Sequence, residues 1–178
     1  MKPGLVRLAT PDDAAAVARV HVDTWRAAYT GLVPQGILDG LSVERREQFW
    51  RSVAEAPGEH RLAVAEAAGR VVGFASTGPA RDEDLPPGSG ELLAIYVEPA
   101  AWGEGHGARL LRWAVADLRA RGLDPLVLWV LTENTRGRGF YEVMGWQPDG
   151  TARPIDFDGT SVEEIRYRAP AENTLSDR

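Results

Sequence analysis

The 178-residue sequence contains no cysteine. That absence excludes disulfides, thiolate zinc sites, cysteine nucleophiles and iron–sulfur clusters together, and it is in keeping with a reducing compartment. Lysine is nearly missing as well: Lys2 is the single one, so arginine carries almost all of the positive charge. With 26 acidic residues against 20 basic ones the formal net charge is −6. Binding to a phosphate backbone needs the opposite balance, so a nucleic-acid partner is not expected. No apolar run approaches the ~18 residues that suggest a membrane span. Met1-Lys2-Pro3-Gly4 lacks the apolar core of a signal peptide. The expectation is a cytoplasmic protein with no membrane partner. His21, His60 and His106 have no companions at metal-ligand spacing, so no metal is expected. No Ser/His/Asp arrangement stands out either.

What is present reads as one globular α/β domain over residues 1–170, with 171–178 as a flexible tail. Hydrophobic residues make up 44% and charged ones 26%, enough for a real core at this length. Leu5–Leu8 is a short β-like run. Thr10-Pro11-Asp12-Asp13 then offers a helix start, and Val17, His21, Trp25 and Ala28 share one helical face up to Thr30-Gly31. A second helix is expected over 43–56, with Phe49, Trp50 and Val53 as its apolar contacts. Residues 61–67 and 70–76 form a hairpin around Ala68-Gly69, and 78–90 is a polar loop containing Asp82-Glu83-Asp84. Glu91–Val97 is apolar on both faces, as a central strand covered on both sides should be. A helix follows from about Gly107 to Arg121, with Leu110, Leu111, Ala114, Val115 and Leu118 inward. The apolar run 125–131 makes a second buried strand, and a crossover of this kind makes the two strands parallel. A short helix over 136–144 and closing strands near Trp146 and over 164–168 complete the chain.

The segment Val97-Glu98-Pro99-Ala100-Ala101-Trp102-Gly103-Glu104-Gly105-His106-Gly107-Ala108 places three alternate glycines between a buried strand and an amphipathic helix. Glycine admits close backbone approach. The free N–H groups and positive dipole end of a helix start bind anions, so the segment is a candidate pyrophosphate cradle. A plain flexible corner is the simpler reading of the same glycines. Gly103, Gly105 and Ala108 formally fit a dinucleotide fingerprint, but five residues separate them from the strand and several elements precede it, which disfavours that fold. No Gly-Lys-Ser/Thr follows, so a P-loop is excluded.

Val97-x-Pro99 followed by Trp102-Gly103-Glu104-Gly105-His106-Gly107 resembles the acetyl-CoA motif of the GNAT superfamily, Gln/Arg-x-x-Gly-x-Gly/Ala. Gly105 and Gly107 match its last fixed positions, whereas Trp102 departs from the usual Gln or Arg. Asn134-Thr135-Arg136-Gly137-Arg138-Gly139-Phe140-Tyr141-Glu142-Val143-Met144-Gly145-Trp146 resembles the same family's Asn-x-x-(Ala)-x-x-Phe-Tyr-x-x-x-Gly-Phe segment, with Gly137 where alanine is common. Trp25-Arg26-Ala27-Ala28-Tyr29-Thr30-Gly31 is similar to a branch of small-amine and polyamine acetyltransferases.

The resemblance implies a mixed, largely antiparallel twisted sheet whose central parallel pair splays at the cofactor site, with flanking helices. It implies acetyl-CoA as the acyl donor and direct transfer to a primary amine of a small molecule or peptide. The donor would be held by Ile95, Tyr96 and Val97, by Trp102, Gly103, Glu104, Gly105, His106, Gly107 and Ala108, and by Asn134 and Tyr141. Tyr141 would be the acid that protonates the leaving thiolate, and Glu91 the base. The plainer readings are a core aromatic pair Phe140-Tyr141, a Glu91 paired with an arginine, and an Asn134 that only caps a helix. His106 is expected to point outward and His21 into the core. Trp25, Tyr29 and Glu91 are acceptor candidates, and Asp82, Glu83, Asp84, Asp156 and Asp158 could favour a cation. A homodimer would fit, and a non-catalytic acyl-CoA-sensing module of the same fold is the alternative function.

Overall fold

The computed structural model describes residues 5–171, so all but Ala171 of the expected tail lies outside the described residues. The chain runs through β1 (Leu5–Leu8), α1 (Ala14–Ala28), α2 (Gln35–Asp39), α3 (Val43–Glu55), β2 (Arg61–Ala67), β3 (Arg70–Pro79) and β4 (Gly90–Val97). It continues through α4 (His106–Ala120), β5 (Leu126–Leu131), α5 (Thr135–Val143), β6 (Gln147–Phe157) and β7 (Thr160–Arg168). The strands form one sheet in the order β1-β2-β3-β4-β5-β7-β6. β4 and β5 are its parallel pair, and the other neighbours are antiparallel. The mixed α/β expectation holds.

Helices cover both faces. Leu110, Leu111, Ala114 and Leu118 of α4 pack on Val72, Ala75, Leu92, Leu126 and Leu128 of the sheet. Against the opposite face, Val17, Ala18 and Val20 of α1 join Trp50 of α3 and Val64, Val71 and Phe74. This three-layer arrangement accounts for the apolar character of both faces of β4.

One irregularity matters most. β3 and β4 stay in register from Gly73↔Val97 to Ser76↔Ala94, then shift so that Thr77 faces Leu92. Leu93 is the extra residue of a β-bulge, which bends the strand and raises its twist. On the other side, β4 pairs with β5 at Gly90↔Leu126, Glu91↔Val127 and Leu92↔Leu128, and the pairing stops there. Beyond the bulge β4 follows β3, while β5 follows β7 as far as Leu131↔Glu164. The parallel pair opens into a V, as the resemblance implied.

Four details differ from expectation. Residues 147–157 form a full strand, β6, whose alternating exposed and half-buried residues supply no apolar run to reveal it. α2 is only five residues long and includes Gly36, too short for a periodic signal. β3 continues through Pro79, past the expected end at Ser76. Phe49 lies on the outer side of α3 and is exposed, whereas its neighbour Trp50 is buried.

Candidate active site

The V between β4 and β5 opens into a cleft of about 790 Å³, walled by the start of α4, by α5, by the end of α1 and by β6. Ile95, Tyr96, Val97, Trp102, Gly103, Gly105, His106, Gly107, Ala108, Asn134 and Tyr141 all line it, as do Trp25, Tyr29 and Glu91. Glu104 does not: its exposed side chain turns to His106, 3.3 Å from Nε2.

Gly105 sits just before α4 with φ +81°, a left-handed conformation that side chains with a Cβ resist. From Gly103 to Ala108 the main-chain amides find no hydrogen-bond acceptor among the described residues. The first bond of the helix is Arg109 N–H to the Gly105 carbonyl, at 3.2 Å. Six successive donors at the positive end of a 15-residue helix are therefore without an acceptor among the described residues, which is what an anion cradle requires. A Cβ on Gly107 would stand 3.4 Å from the Phe140 ring, in ordinary van der Waals contact where α4 meets α5.

Trp102 acquires a role that the motif comparison left open. Its indole Nε1–H donates to the Val97 carbonyl at 2.6 Å, and the Thr24 hydroxyl donates to the same oxygen at 3.0 Å. The last carbonyl of β4 is thereby fastened from both sides. The Arg136 guanidinium lies 3.8 Å above the Trp102 ring, linking the glycine loop to α5. Asn134 caps α5, accepting the Gly137 N–H at 2.9 Å. A Cβ on Gly137 would come within 2.7 Å of the Asn134 Nδ2, so an alanine there would require the capping amide to shift. His106 is a correction: it is 4% exposed, held between Glu104 and the Arg109 guanidinium.

Tyr141 packs on Phe140, Trp146 and Tyr167, and its hydroxyl makes no hydrogen bond within the described residues. Burial, and then the neighbouring Tyr96, push its pKa well above that of a free phenol, so it stays protonated at neutral pH. Tyr96 and Tyr29 are raised by burial as well. Trp25 and Tyr29 meet edge to face at 4.8 Å, and Phe157 of β6 completes an aromatic wall. His21 stands behind this wall with Trp25 and Tyr96 rings 5.6 and 5.3 Å away, buried as expected.

The charged groups at this wide end are all paired. Glu91, 3% exposed, accepts from Arg81 Nη2 at 2.9 Å and Nε at 3.3 Å. Glu164 of β7 accepts from Arg153 Nε at 2.7 Å. Asp82 and Asp84 are drawn out of the cleft by Arg153 and by Arg166, which is 2% exposed and also holds Asp149. Asp156 accepts the Gly159 N–H at the β6–β7 turn, away from the cleft. Sequence reasoning missed Arg81, Arg153, Glu164, Thr24 and Arg136, because their placement depends on how distant elements pack together and no local pattern marks it. No group of three or more potential metal ligands occurs among the described residues, and no helix among them is long and apolar enough to cross a membrane.

Residues 19–146 match the model of the acetyltransferase (GNAT) family. A Mycobacterium tuberculosis protein named as a probable N-acetyltransferase is 30% identical over 176 residues, covering 94% of this chain and 95% of that protein. The L-methionine sulfoximine/L-methionine sulfone acetyltransferase of Pseudomonas aeruginosa is 30% identical over 103 residues, 58% of this chain and 59% of that protein. Among solved structures, the PaiA N-acetyltransferase of Thermoplasma acidophilum in complex with coenzyme A superposes with a TM-score of 0.70 at 19% identity, over 92% of this chain and 97% of that one.

Proposed function

Since the chain belongs to the acetyltransferase (GNAT) family, we propose that it moves the acetyl group of acetyl-CoA onto a primary amine of a small molecule by direct attack. The observation that carries this reading is the row of unpaired amides at residues 103–108 beside the parted strands β4 and β5. The residues fit the donor. Those amides would hold the diphosphate, and the side of β4 that β5 has left, along Ile95, Tyr96 and Val97, would accept the pantetheine arm as an added strand. Asn134 and the Trp102–Arg136 stack border the same path. The coenzyme A in one structural neighbour and the amino-acid-derived acceptor in one relative's name support the donor and a small acceptor.

Acetyl-CoA brings an activated acyl carbon. The chain must orient the amine, receive a proton from it and return one to sulfur. The first proton of the ammonium leaves through water, either to bulk or to Glu91, whose carboxylate keeps lone pairs beyond those that Arg81 occupies. The nitrogen pair then forms the C–N bond while a β4 N–H near Tyr96 or Val97 stabilises the carbonyl oxygen. The C–S pair leaves with sulfur, which takes the Tyr141 proton. The second nitrogen proton restores the phenol. Amide, free thiol and one released proton balance the equation.

Thiol release from acetyl-CoA across a panel of amines tests the reading, with calorimetric binding of acetyl-CoA alongside. Binding together with amine-dependent thiol release is expected. Tight binding with no release for any amine would instead favour the acyl-CoA-sensing module.

A further inference from the structure

The structure assigns the wide end of the cleft to an amine that also carries an anionic group, of the amino-acid type, and not to a polyamine; this rests on the acetyltransferase reading above. A polyamine needs two or more free carboxylates spaced along its length. Of the two carboxylates that line this end, Glu91 accepts from Arg81 on both oxygens and Glu164 accepts from Arg153 on Oε1, so among the described residues Glu164 Oε2 is left for one ammonium and no unpartnered carboxylate oxygen here is left for a second. The acidic loop at 82–84, which the sequence offered for a cation, is bound instead to Arg153 and Arg166.

Unused hydrogen-bonding capacity shows what the site can still take. Arg81 gives Nε and Nη2 to Glu91, and its Nη1 has no partner among the described residues. Arg153 gives Nε to Glu164 and Nη1 to Asp82, and its Nη2 is likewise unused. Arginine side chains presented in this way suit a carboxylate, because the planar fork matches its two oxygens. Arg153 is also pre-positioned, with its guanidinium stacked 3.8 Å above the Trp129 ring, so little side-chain entropy is lost when it binds.

Glu164 supplies the opposite sign. Its Oε1 carries the Arg153 bond, and its Oε2 has no partner among the described residues. The residue is 9% exposed and faces Leu131 across the β5–β7 pair, where β5 has separated from β4. One N–H of an incoming ammonium would rest on Oε2. The wall of Trp25, Tyr29 and Phe157 offers an apolar surface for a side chain. An anion receiver, an ammonium receiver and an aromatic wall around one opening match the parts of an amino acid.

The test compares the free amino acids with the corresponding amino-acid amides and with spermidine, following thiol release from acetyl-CoA. For the best side chain, kcat/KM for the acid should exceed that for its amide by at least about ten-fold, the scale of one charge-assisted hydrogen bond. The amide's amine is the less basic and more of it is free at neutral pH, so this preference runs against intrinsic reactivity. Arg81→Gln should bring the ratio to within about three-fold by raising KM for the acid well beyond any change in kcat/KM for the amide, which shares the Glu91 that Arg81 holds. Equal rates for acid and amide, a preference for spermidine, or an unchanged ratio in Arg81→Gln would overturn the inference while leaving acetyl transfer intact. Release with no amine at all would overturn both.

Discussion

His21 gives a prediction whose magnitude follows from its surroundings. The ring is 5% exposed, and its Nδ1 accepts the Trp50 indole N–H at 3.1 Å, so the single proton sits on Nε2, which has no partner. Burial, followed by the nearby positive charge of Arg46, lowers its pKa to about 3. In the unfolded chain the same group titrates near 6.5. The folded value is the depressed one, so the unfolded state binds the proton first as pH falls. The stability that a neutral His21 provides is complete above about pH 6.5 and is lost progressively between there and pH 3. At about 1.36 kcal/mol per pH unit, the loss between pH 7 and pH 5 is about 2 kcal/mol. Urea unfolding followed by tryptophan fluorescence at pH 7, 6 and 5 measures it, and carboxylates titrating over the same interval are removed by comparison with His21→Gln. The variant should be less stable at pH 7, keep an acceptor for Trp50, and lose about 2 kcal/mol less on going to pH 5. Parallel pH profiles for the two proteins would refute the assignment of a neutral buried imidazole.

Tyr141→Phe should lower turnover ten-fold or more while acetyl-CoA affinity measured by calorimetry stays within a few-fold, because the ring packing on Phe140 and Trp146 is retained; unchanged turnover removes the phenol as the acid. Gly105→Val forces a β-branched residue to φ +81° at the start of α4, a strain of at least about 1–2 kcal/mol, and should abolish measurable acetyl-CoA binding. Full-affinity binding would place the donor elsewhere. Arg166→Met should cost roughly 3 kcal/mol in urea unfolding, since it leaves Asp149 and the 82–84 loop without their buried counter-charge. A loss below about 1 kcal/mol would mean that the ion network contributes little.

The readable parts of the sequence were those with local causes. α1 and α4 announce themselves by apolar spacing, the β2–β3 hairpin by Ala68-Gly69, both of which take positive φ, and the turn from β4 into α4 by its glycines. β6 was invisible because it alternates between exposed and half-buried positions and carries two prolines. The pairing of Glu91 with Arg81 was equally hidden. Nine residues of loop and strand separate them, and only the return of the 80–89 segment across the start of β4 brings them together. His106 was misplaced for a related reason. Flanking glycines suggest an exposed loop, but the helix begins at His106 itself, so its side chain is set by the first turn and tucked under Arg109.

The departure at Trp102 follows from the same geometry that makes the cleft. A β-bulge at Leu93 turns the end of β4 away from β5, and a strand end with one free side must have its remaining polar groups held. Here the Val97 carbonyl is held twice, by Thr24 from α1 and by the Trp102 indole from the glycine loop. A glutamine or arginine at 102 could reach out to a phosphate, but the tryptophan N–H is already committed to the strand. In the proposed reading the gripping of an anion falls to main-chain amides, so the left-handed φ at Gly105 counts for more than any side chain of the loop. Arg136, stacked on the Trp102 ring, keeps its charge beside that loop without taking a carboxylate partner among the described residues. In that reading position 102 trades a contact to ligand for rigidity at the end of β4.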